Sequence, residues 1–164
     1  MKLPIYQVDA FAAGVFSGNP AAVVPLEEWL ANDTMQAIAM ENNVAETAFF
    51  VAEGDGSEAE VAALSPVAAE LLASSPHAVI ATAVGNDYDF VSRFFGPHVG
   101  IDEDPVTGSA HCSLVPYWAA KLDKTQLRAR QISPRGGDLA CELRSGRVFM
   151  TGAAVTFLEG VIHI

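Results

Sequence analysis

One carboxylate stands in an almost wholly apolar stretch of the chain. Glu46 lies between Ala45 and Thr47, with Ala48 and Phe49 following, at the start of a predicted strand. Removing a carboxylate from water raises its pKa, which suits such a group to general acid and base catalysis near neutral pH. The alternative is that Glu46 lies at a strand edge and points to solvent. Glu46 is therefore a candidate proton carrier.

A second candidate site is the stretch at residues 102–110, where an acidic run leads into Pro-Val-Thr-Gly-Ser and a predicted apolar helix. The backbone N–H groups of a first helical turn have no partner within the helix, and small residues such as Gly108 and Ser109 leave them open to a carboxylate or phosphate. An acid, Asp104, beside such a turn suits a site that binds an anionic substrate and moves a proton on it. The alternative is that Asp104 or Thr107 only caps the helix.

Other kinds of chemistry find little support in the sequence. Ser109 and His111 lie two positions apart on the predicted helix, so they face different directions and do not form a nucleophile–base pair. His111 and Cys112 are adjacent and therefore a poor metal chelate, and a buried position in the helix is predicted for both. The sequence contains no Gly-x-Ser-x-Gly elbow, Walker loop or dinucleotide fingerprint. Neither a metal nor another cofactor is therefore expected.

The composition is that of a folded protein with an acidic surface. Hydrophobic residues make up 51% of the 164 residues and charged residues 18%, and the mean hydropathy is +0.27, which excludes a disordered chain. Nine basic residues against 20 acidic ones give a net charge of −11. This charge repels nucleic-acid phosphates and anionic lipids, so neither nucleic acid nor a membrane is expected as a partner. No signal-like apolar run precedes Asp9, and a cytoplasmic protein is expected.

The spacing of apolar residues predicts an α+β protein. A helical stretch is predicted to open at residues 25–30 and to continue at 32–42. Further helices are predicted at 58–74 and 108–122, with Pro66 starting a new helix inside the range 58–74. An acidic loop is predicted at residues 101–107. Strands are predicted at residues 3–11, 21–24, 46–52, 79–84, 89–95, 127–133, 138–143, 147–150 and 153–164.

Several motifs follow one another along the chain in a recognisable order. They are Gln-Val-Asp-Ala-Phe at 7–11, Phe-Ser-Gly-Asn-Pro-Ala-Ala-Val at 16–23, Asn-Val-Ala-Glu-Thr-Ala-Phe at 43–49, Arg-Phe-Phe at 93–95, Glu-Asp-Pro-Val-Thr-Gly-Ser-Ala-His at 103–111, an Arg-Gly-Gly within 131–139, and Ala-Val-Thr at 154–156. Together they resemble the PhzF family, the phenazine-biosynthesis isomerase-like proteins. The resemblance covers nearly all of the chain.

The resemblance implies a diaminopimelate-epimerase-like fold, in which two lobes each wrap a curved mixed sheet around a central helix and enclose the active site between them. It divides the chain into a partial first lobe at 1–56 and most of a second lobe at 57–164, with one merged hybrid domain as the alternative. It also implies a cofactor-independent isomerase that transfers a proton on a small anionic substrate, similar to a dihydro-hydroxyanthranilate or an amino acid. Glu46 would be the acid and base. The residues expected to bind the substrate are Asp104, Gly108, Ser109 and Asn19.

The chain also departs from the family pattern. The family's Cys-Gly-His-Ala-Thr motif, which opens the central helix of the first lobe, is absent, and the sequence passes from residues 53–56 directly to what resembles the second lobe. Losing that helix exposes the apolar face it covers. Three hypotheses follow: a shortened isomerase, a catalytically incomplete remnant or small-molecule-binding module, and a homodimer whose copies complement each other's missing lobe.

Overall fold

The computed structural model of the protein describes residues 2–10, 19–44, 46–51, 56–74 and 77–162. The strands in this part of the chain form two sheets. In the first sheet, β1 (Tyr6–Ala10) runs antiparallel to β2 (Asn19–Leu26), and β2 runs parallel to β3 (Glu46–Val51). The helix α1 (Asn32–Asn42) makes the crossover that two parallel strands require. It ends at Asn43, whose φ of 47° lies in the left-handed region that asparagine tolerates better than most residues.

Apolar side chains between α1 and this sheet form its core. Val24 and Leu26 of β2 and Met35 of α1 are buried, and Phe49 and Val51 of β3 pack against them. Position 50 lies on the opposite face of β3, because successive residues of a strand alternate between its two faces. One face of the first sheet is therefore covered by α1.

The second sheet has six strands. In chain order they are β4 (Val79–Val84), β5 (Phe90–Gly96), β6 (Ile101–Asp104), β7 (Gln126–Gln131), β8 (Gly137–Arg144) and β9 (Arg147–Thr151). Their order across the sheet is β4-β5-β7-β8-β9, and β6 also pairs with β5. All pairs are antiparallel except β5 with β7, which is parallel. The helix α4 (Gly108–Leu122) lies in the connection between β6 and β7.

The apolar face of α4 packs across the second sheet. The buried residues of this core are Leu114, Val115, Trp118 and Ala119 of α4 with Phe90, Leu127, Ala129 and Cys141 of the sheet. The Trp118 ring stacks on Phe90 at a centroid distance of 5.7 Å, and its indole N–H donates to Thr82 Oγ1 at 2.9 Å. This hydrogen bond satisfies the one polar atom that Trp118 would otherwise bury. The packing fixes α4, and with it the turn at its N-terminus, relative to the sheet.

Two short helices, α2 (Glu58–Ala63) and α3 (Ala68–Ser74), precede the second sheet. A capping box begins α2: Ser57 Oγ accepts from the N–H of Glu60 at 3.2 Å, and Glu60 Oε2 accepts from the N–H of Ser57 at 2.7 Å. These two bonds satisfy backbone donors that the first helical turn cannot use internally.

Three predicted elements differ from the structure. The helical stretch predicted at 25–30 is wrong, because residues 25 and 26 still belong to β2, where they pair with β3, and α1 begins only at Asn32. The predicted loop at 101–107 begins with β6, which pairs with the end of β5. The predicted strand at 153–164 is wrong through residue 162, since the described residues give it no neighbouring strand.

The mixed α+β class is confirmed, α4 has the predicted bounds, and α1 ends where predicted. The predicted break at Pro66 is confirmed as well, because Pro66 lies between the end of α2 and the start of α3. The Phe50 ring of β3 meets the Tyr117 ring of α4 edge to face, with centroids 5.2 Å apart. The helix α4 therefore touches both sheets. The division at residues 56 and 57, and its alternative of one merged domain, stay predictions.

Candidate active site

Three of the four residues predicted to bind substrate lie together where β6 leads into α4. Asp104 is the last residue of β6 and pairs with Phe94 of β5. Gly108 and Ser109 are the first two residues of α4, and all three are half-buried. Residues 104–109, called the α4 turn below, are thus held between a strand pair and a helix that is packed on the sheet.

The side chain of Thr107 does not cap α4. Its hydroxyl donates instead to Asp104 Oδ2 at 2.5 Å, and the helix starts without a side-chain cap. Among the described hydrogen bonds, the Asp104 carboxylate contacts this hydroxyl and no N–H group of the helix. The hypothesis that Asp104 or Thr107 only caps the helix is therefore wrong. The N–H groups of Gly108 and Ser109 begin the helix with no partner inside it.

The amide of Gln131, at the end of β7, holds the α4 turn from the sheet side. Gln131 is fully buried. Its Oε1 accepts from the N–H of Thr107 at 2.8 Å, and its Nε2 donates to the carbonyl oxygen of Asp104 at 2.7 Å and to Thr107 Oγ1 at 3.1 Å. The side chain thereby pairs two backbone groups of the turn that would otherwise lose their hydrogen bonds.

Sequence reasoning did not predict the role of Gln131, although one signal for it exists. Along β7, the alternating positions Leu127, Ala129 and Gln131 are all buried. A long polar residue in phase with apolar residues on the core face of a strand needs hydrogen-bond partners there. The identity of those partners depends on the pairing of β5 with β7, which the sequence pattern does not reveal.

His111 supports the α4 turn from the helix side. It is fully buried, and its Nδ1 lies 2.8 Å from the carbonyl oxygen of Thr107. Because that oxygen only accepts, Nδ1 carries the proton and Nε2 does not in the neutral ring. Burial lowers the pKa of His111 more than this hydrogen bond raises it, and Nε2 has no hydrogen-bond partner among the described residues. The ring is therefore neutral at pH 7, and its predicted burial is confirmed.

The loop between β7 and β8 packs against the other side of the α4 turn. Ser133 Oγ donates to the carbonyl oxygen of Pro105 at 2.8 Å and accepts from the N–H of Gly136 at 2.9 Å. Gly137 lies so near Val106 that an added Cβ would be 2.3 Å from its Cγ2. A side chain at position 137 would therefore have to displace the Val106 side chain.

An ion pair anchors β6 to the rest of the second sheet. Nε and Nη2 of the buried Arg93 donate to the two carboxylate oxygens of Glu103 at 2.7 and 2.8 Å. Its Nη1 donates to the carbonyl oxygens of Val61, Ala62 and Leu64 at 3.3, 3.2 and 2.6 Å. The hydrogen bonds to Glu103 raise the pKa of Arg93. Arg93 thus joins the C-terminus of α2 to the strand that leads into the α4 turn.

Glu46 and Asn19 lie on the first sheet. Asn19 begins β2 and Glu46 begins β3. Glu46 pairs with Ala21 of β2 in the parallel ladder, two positions after Asn19. Glu46 and Asn19 therefore lie at the same end of the sheet. The structure describes the backbone of both residues and not their side chains. Their predicted roles in proton transfer and substrate binding therefore stay predictions.

The described residues also include two open clefts away from the α4 turn. One, of about 260 Å³, is lined by Leu3, Ile5, Val24 and Ile38. The other, of about 470 Å³, is lined by Tyr88, Arg128, Asp138, Leu139, Ala140, Thr151, Gly152 and Ala153. Within the same part of the chain, no three His, Cys, Asp or Glu residues come together as a metal site. No helix there is long and apolar enough to cross a membrane.

Comparisons with known proteins identify the family to which this chain belongs. The sequence model of the family described as phenazine biosynthesis-like protein matches residues 8–83 and 54–160. An uncharacterized isomerase of Pseudomonas aeruginosa is 35% identical over 259 positions that cover all of both chains. An uncharacterized isomerase of Halalkalibacterium halodurans is 53% identical over 81 residues, 49% of this chain and 31% of that protein. A PhzF-family crystal structure from Enterococcus faecalis superposes with a TM-score of 0.63 at 32% identity, covering 100% of both chains. The chain therefore belongs to the PhzF family.

The alignment to the Pseudomonas protein is longer than this chain. It spans 259 positions, which exceeds the 164 residues here by 95, so at least 95 of its positions lie opposite gaps in this chain. The two ranges that match the family overlap at residues 54–83. The absence of the Cys-Gly-His-Ala-Thr segment in particular stays a prediction.

Proposed function

We propose that this chain is an isomerase that moves a proton between two carbons of a small anionic substrate. The Pseudomonas and Halalkalibacterium relatives are named isomerases, which supports the reaction class. The observation that supports an anionic substrate is that no side chain caps the N-terminus of α4. Thr107, the residue before the helix, uses its hydroxyl to donate to Asp104 instead. Backbone N–H groups at a helix N-terminus bind carboxylate and phosphate groups.

In this proposal the α4 turn binds the negative group of the substrate. The N–H groups of Gly108 and Ser109 donate to it, and the positive end of the α4 dipole stabilises its charge. Asp104 stabilises the turn, since its carboxylate accepts a hydrogen bond from the Thr107 hydroxyl. Asn19 is proposed as a further substrate contact because it lies at the same end of the first sheet as Glu46.

Glu46 is the proposed acid and base. Its carboxylate takes a proton from a substrate carbon, so that a C–H bond breaks, an O–H bond forms and the electron pair stays in the substrate. The resulting carboxylic acid returns the proton to a different carbon, which isomerises the substrate and restores the carboxylate. No oxidant or reductant is consumed, and the proposed enzyme is cofactor-independent. A dihydro-hydroxyanthranilate or an amino acid carries both the acidic C–H bond and the carboxylate that this scheme uses.

The proposed architecture is the diaminopimelate-epimerase-like one. The first sheet is the partial first lobe, the second sheet is most of the second lobe, and the substrate lies between them. The contact between Phe50 of β3 and Tyr117 of α4 supports this arrangement, because the strand that carries Glu46 packs against the helix that begins at the α4 turn.

The test is the incorporation of solvent deuterium into a dihydro-hydroxyanthranilate or a panel of small carboxylates, followed by proton NMR. We expect Glu46→Gln to abolish the exchange without lowering the unfolding temperature, because an amide cannot accept the proton. Glu41→Gln, at an exposed position of α1, is the matched control and should exchange at the wild-type rate. Exchange by the Glu46→Gln variant at the wild-type rate would refute the proposed role of Glu46.

The alignment gap of at least 95 positions favours a second candidate, a small-molecule-binding module with an incomplete catalytic site. Such a protein would keep the α4 turn and bind the same class of anion. Saturable binding of a hydroxyanthranilate-type ligand, seen as a rise in the unfolding temperature with ligand concentration and without deuterium exchange, would identify it.

A further inference from the structure

The cleft of about 470 Å³ on the second sheet, called the Arg128 cleft below, faces away from α4. Leu127 and Ala129 of β7 are buried in the core beneath α4, so Arg128 between them points to the opposite face of the sheet. Arg128 pairs with Ala140 of β8, which pairs with Thr151 of β9, so the cleft crosses three strands. Its lining includes Tyr88, Arg128, Asp138, Thr151, Gly152 and Ala153.

Two charged residues and one aromatic residue hold each other in place at this cleft. Arg130 Nη1 donates to Asp138 Oδ1 at 2.7 Å and to the Tyr88 hydroxyl at 3.2 Å. The Tyr88 hydroxyl in turn donates to Asp138 Oδ1 at 3.0 Å. The other carboxylate oxygen of Asp138, Oδ2, accepts no hydrogen bond from the described residues, and the Asp138 side chain is 59% exposed. Asp138 therefore presents one oriented acceptor to the cleft.

Arg128 presents donors to the same cleft. Its guanidinium carbon lies 5.1 Å from the centroid of the Tyr88 ring, a cation–π contact that orients the group. Within the described part of the chain, the guanidinium has no hydrogen bond and no ion pair. The carboxylate of Asp89 accepts from the backbone N–H of Arg128 and from Lys124 instead. An arginine without a carboxylate partner is notable in a chain whose net charge is −11.

We propose that the Arg128 cleft binds the charged head of an α-amino acid. The Arg128 guanidinium donates to the ligand carboxylate, and Asp138 Oδ2 accepts from the ligand ammonium group. Because Arg128 pairs with Ala140 and Asp138 with Arg130, Arg128 and Asp138 are diagonal neighbours on an antiparallel strand pair. The Cβ atoms of such neighbours lie about 7–8 Å apart, a gap that a carboxylate and an ammonium on one carbon bridge with a hydrogen bond at each end.

The pair of opposite charges makes the cleft selective for a zwitterion. A phosphate or a simple carboxylate would be attracted by Arg128 and repelled by Asp138, and a simple amine would meet the reverse. Each charged side chain of the cleft thus rejects ligands that lack one of the two charges.

The test is a titration followed by the amide NMR signals of residues 138–140 and 151–153. The probes are L-alanine, propionate, which lacks the ammonium, and L-alaninamide, which lacks the carboxylate. We expect L-alanine to saturate with a dissociation constant of roughly 1 mM, and the other two to bind at least about tenfold more weakly. This comparison needs no variant. Propionate that binds as tightly as L-alanine, or signals that L-alanine does not shift, would overturn the proposal.

Two variants locate the binding residues. Arg128→Gln and Asp138→Asn should each weaken L-alanine binding at least about tenfold, and Asp138→Asn should strengthen propionate binding because the like charge is gone. Arg144→Gln is the matched control, since it removes the same charge from an exposed arginine outside the cleft, stacked 4.3 Å from the Phe149 ring. It should bind L-alanine as the wild type does, and circular dichroism should show that all three variants fold.

A fourth variant distinguishes the Arg128 cleft from the α4 turn, which is itself proposed to bind carboxylates. Gly108→Pro removes one N–H group from that turn, and proline suits the first position of a helix that follows an extended residue, as Thr107 is. A Cβ at position 108 meets no atom within 4 Å. We expect this variant to keep the L-alanine affinity of the wild type. If Gly108→Pro lost the affinity while Arg128→Gln kept it, L-alanine would be bound at the α4 turn, and the proposal would fail while the proposed function gained support.

Discussion

Replacing Gln131 by leucine should destabilise the protein through the α4 turn. Leucine has a similar size and fills the same buried space, but it offers no hydrogen bond to the N–H of Thr107 or to the carbonyl of Asp104. Each buried backbone group left without a partner costs about 1–3 kcal/mol. The two together predict a loss of about 2–6 kcal/mol in the free energy of unfolding.

The assay is urea denaturation followed by circular dichroism and tryptophan fluorescence, with the slope against urea concentration checked for constancy. A loss near the middle of the range lowers the unfolding temperature by roughly 8–16 °C for a chain of this length. Gln126→Leu is the matched control, because Gln126 lies at an exposed position of the same strand. Substitutions at such positions change stability by about 0.5 kcal/mol or less.

A second variant separates the two halves of the Gln131 amide. Gln131→Glu keeps an oxygen to accept from Thr107 but loses both donors, to Asp104 and to the Thr107 hydroxyl. It should be at least as destabilising as leucine at pH 7, because the buried carboxylate would face acceptor oxygens. The reasoning would be refuted if Gln131→Leu unfolded within about 1 kcal/mol of the wild type, or if Gln126→Leu cost as much.

Two further predictions concern groups that hold the same turn. Because the pKa of His111 is lowered in the folded state, the unfolded chain binds this proton more readily. The stability contribution is therefore complete above a pH of about 6.5 and is lost as the pH falls, with a slope of up to about 1.4 kcal/mol per pH unit. Urea denaturation at pH 5, 6 and 7 should show a weaker pH dependence for His111→Gln than for the wild type, and equal slopes would contradict the assignment. Arg93→Lys should cost about 2–4 kcal/mol by the same assay, because lysine cannot reproduce the paired bonds to Glu103 and the bonds to three carbonyls. Arg144→Lys, on an exposed and longer ion pair of 3.7 Å, should be nearly neutral.

The parts of the fold that the sequence predicts correctly are those governed by local signals. The C-terminal end of α1 and both ends of α4 follow from apolar spacing and from the residues that flank them. The α4 turn is predictable for the same reason, since an acidic run before Thr-Gly-Ser and an apolar helix forms a local pattern. Asp104, Gly108 and Ser109 therefore lie together in the structure as neighbours in sequence must.

The parts that the sequence does not predict depend on contacts between distant residues. Gln131 reaches the α4 turn across 24 positions, from Thr107, and Arg93 reaches the end of α2 across 29 positions, from Leu64. The strand predicted at 153–164 has the correct local composition, but a strand forms only where another strand offers hydrogen bonds. Whether residues 153–162 form a strand therefore depends on a sheet edge with which they can pair, and not on their own composition.

The contact of Phe50 with Tyr117 joins the strand that begins with Glu46 to the helix that begins at the α4 turn. Glu46 lies four positions before Phe50 on β3, a distance of about 13 Å along a strand. Ser109 lies eight positions before Tyr117 on α4, about 12 Å along a helix. The candidate base and the anion-binding turn therefore lie at similar distances from one aromatic contact, which is held on the α4 side by the Trp118 packing on the second sheet. In the proposed enzyme, this contact links the strand that carries the candidate base to the helix that begins at the candidate anion site.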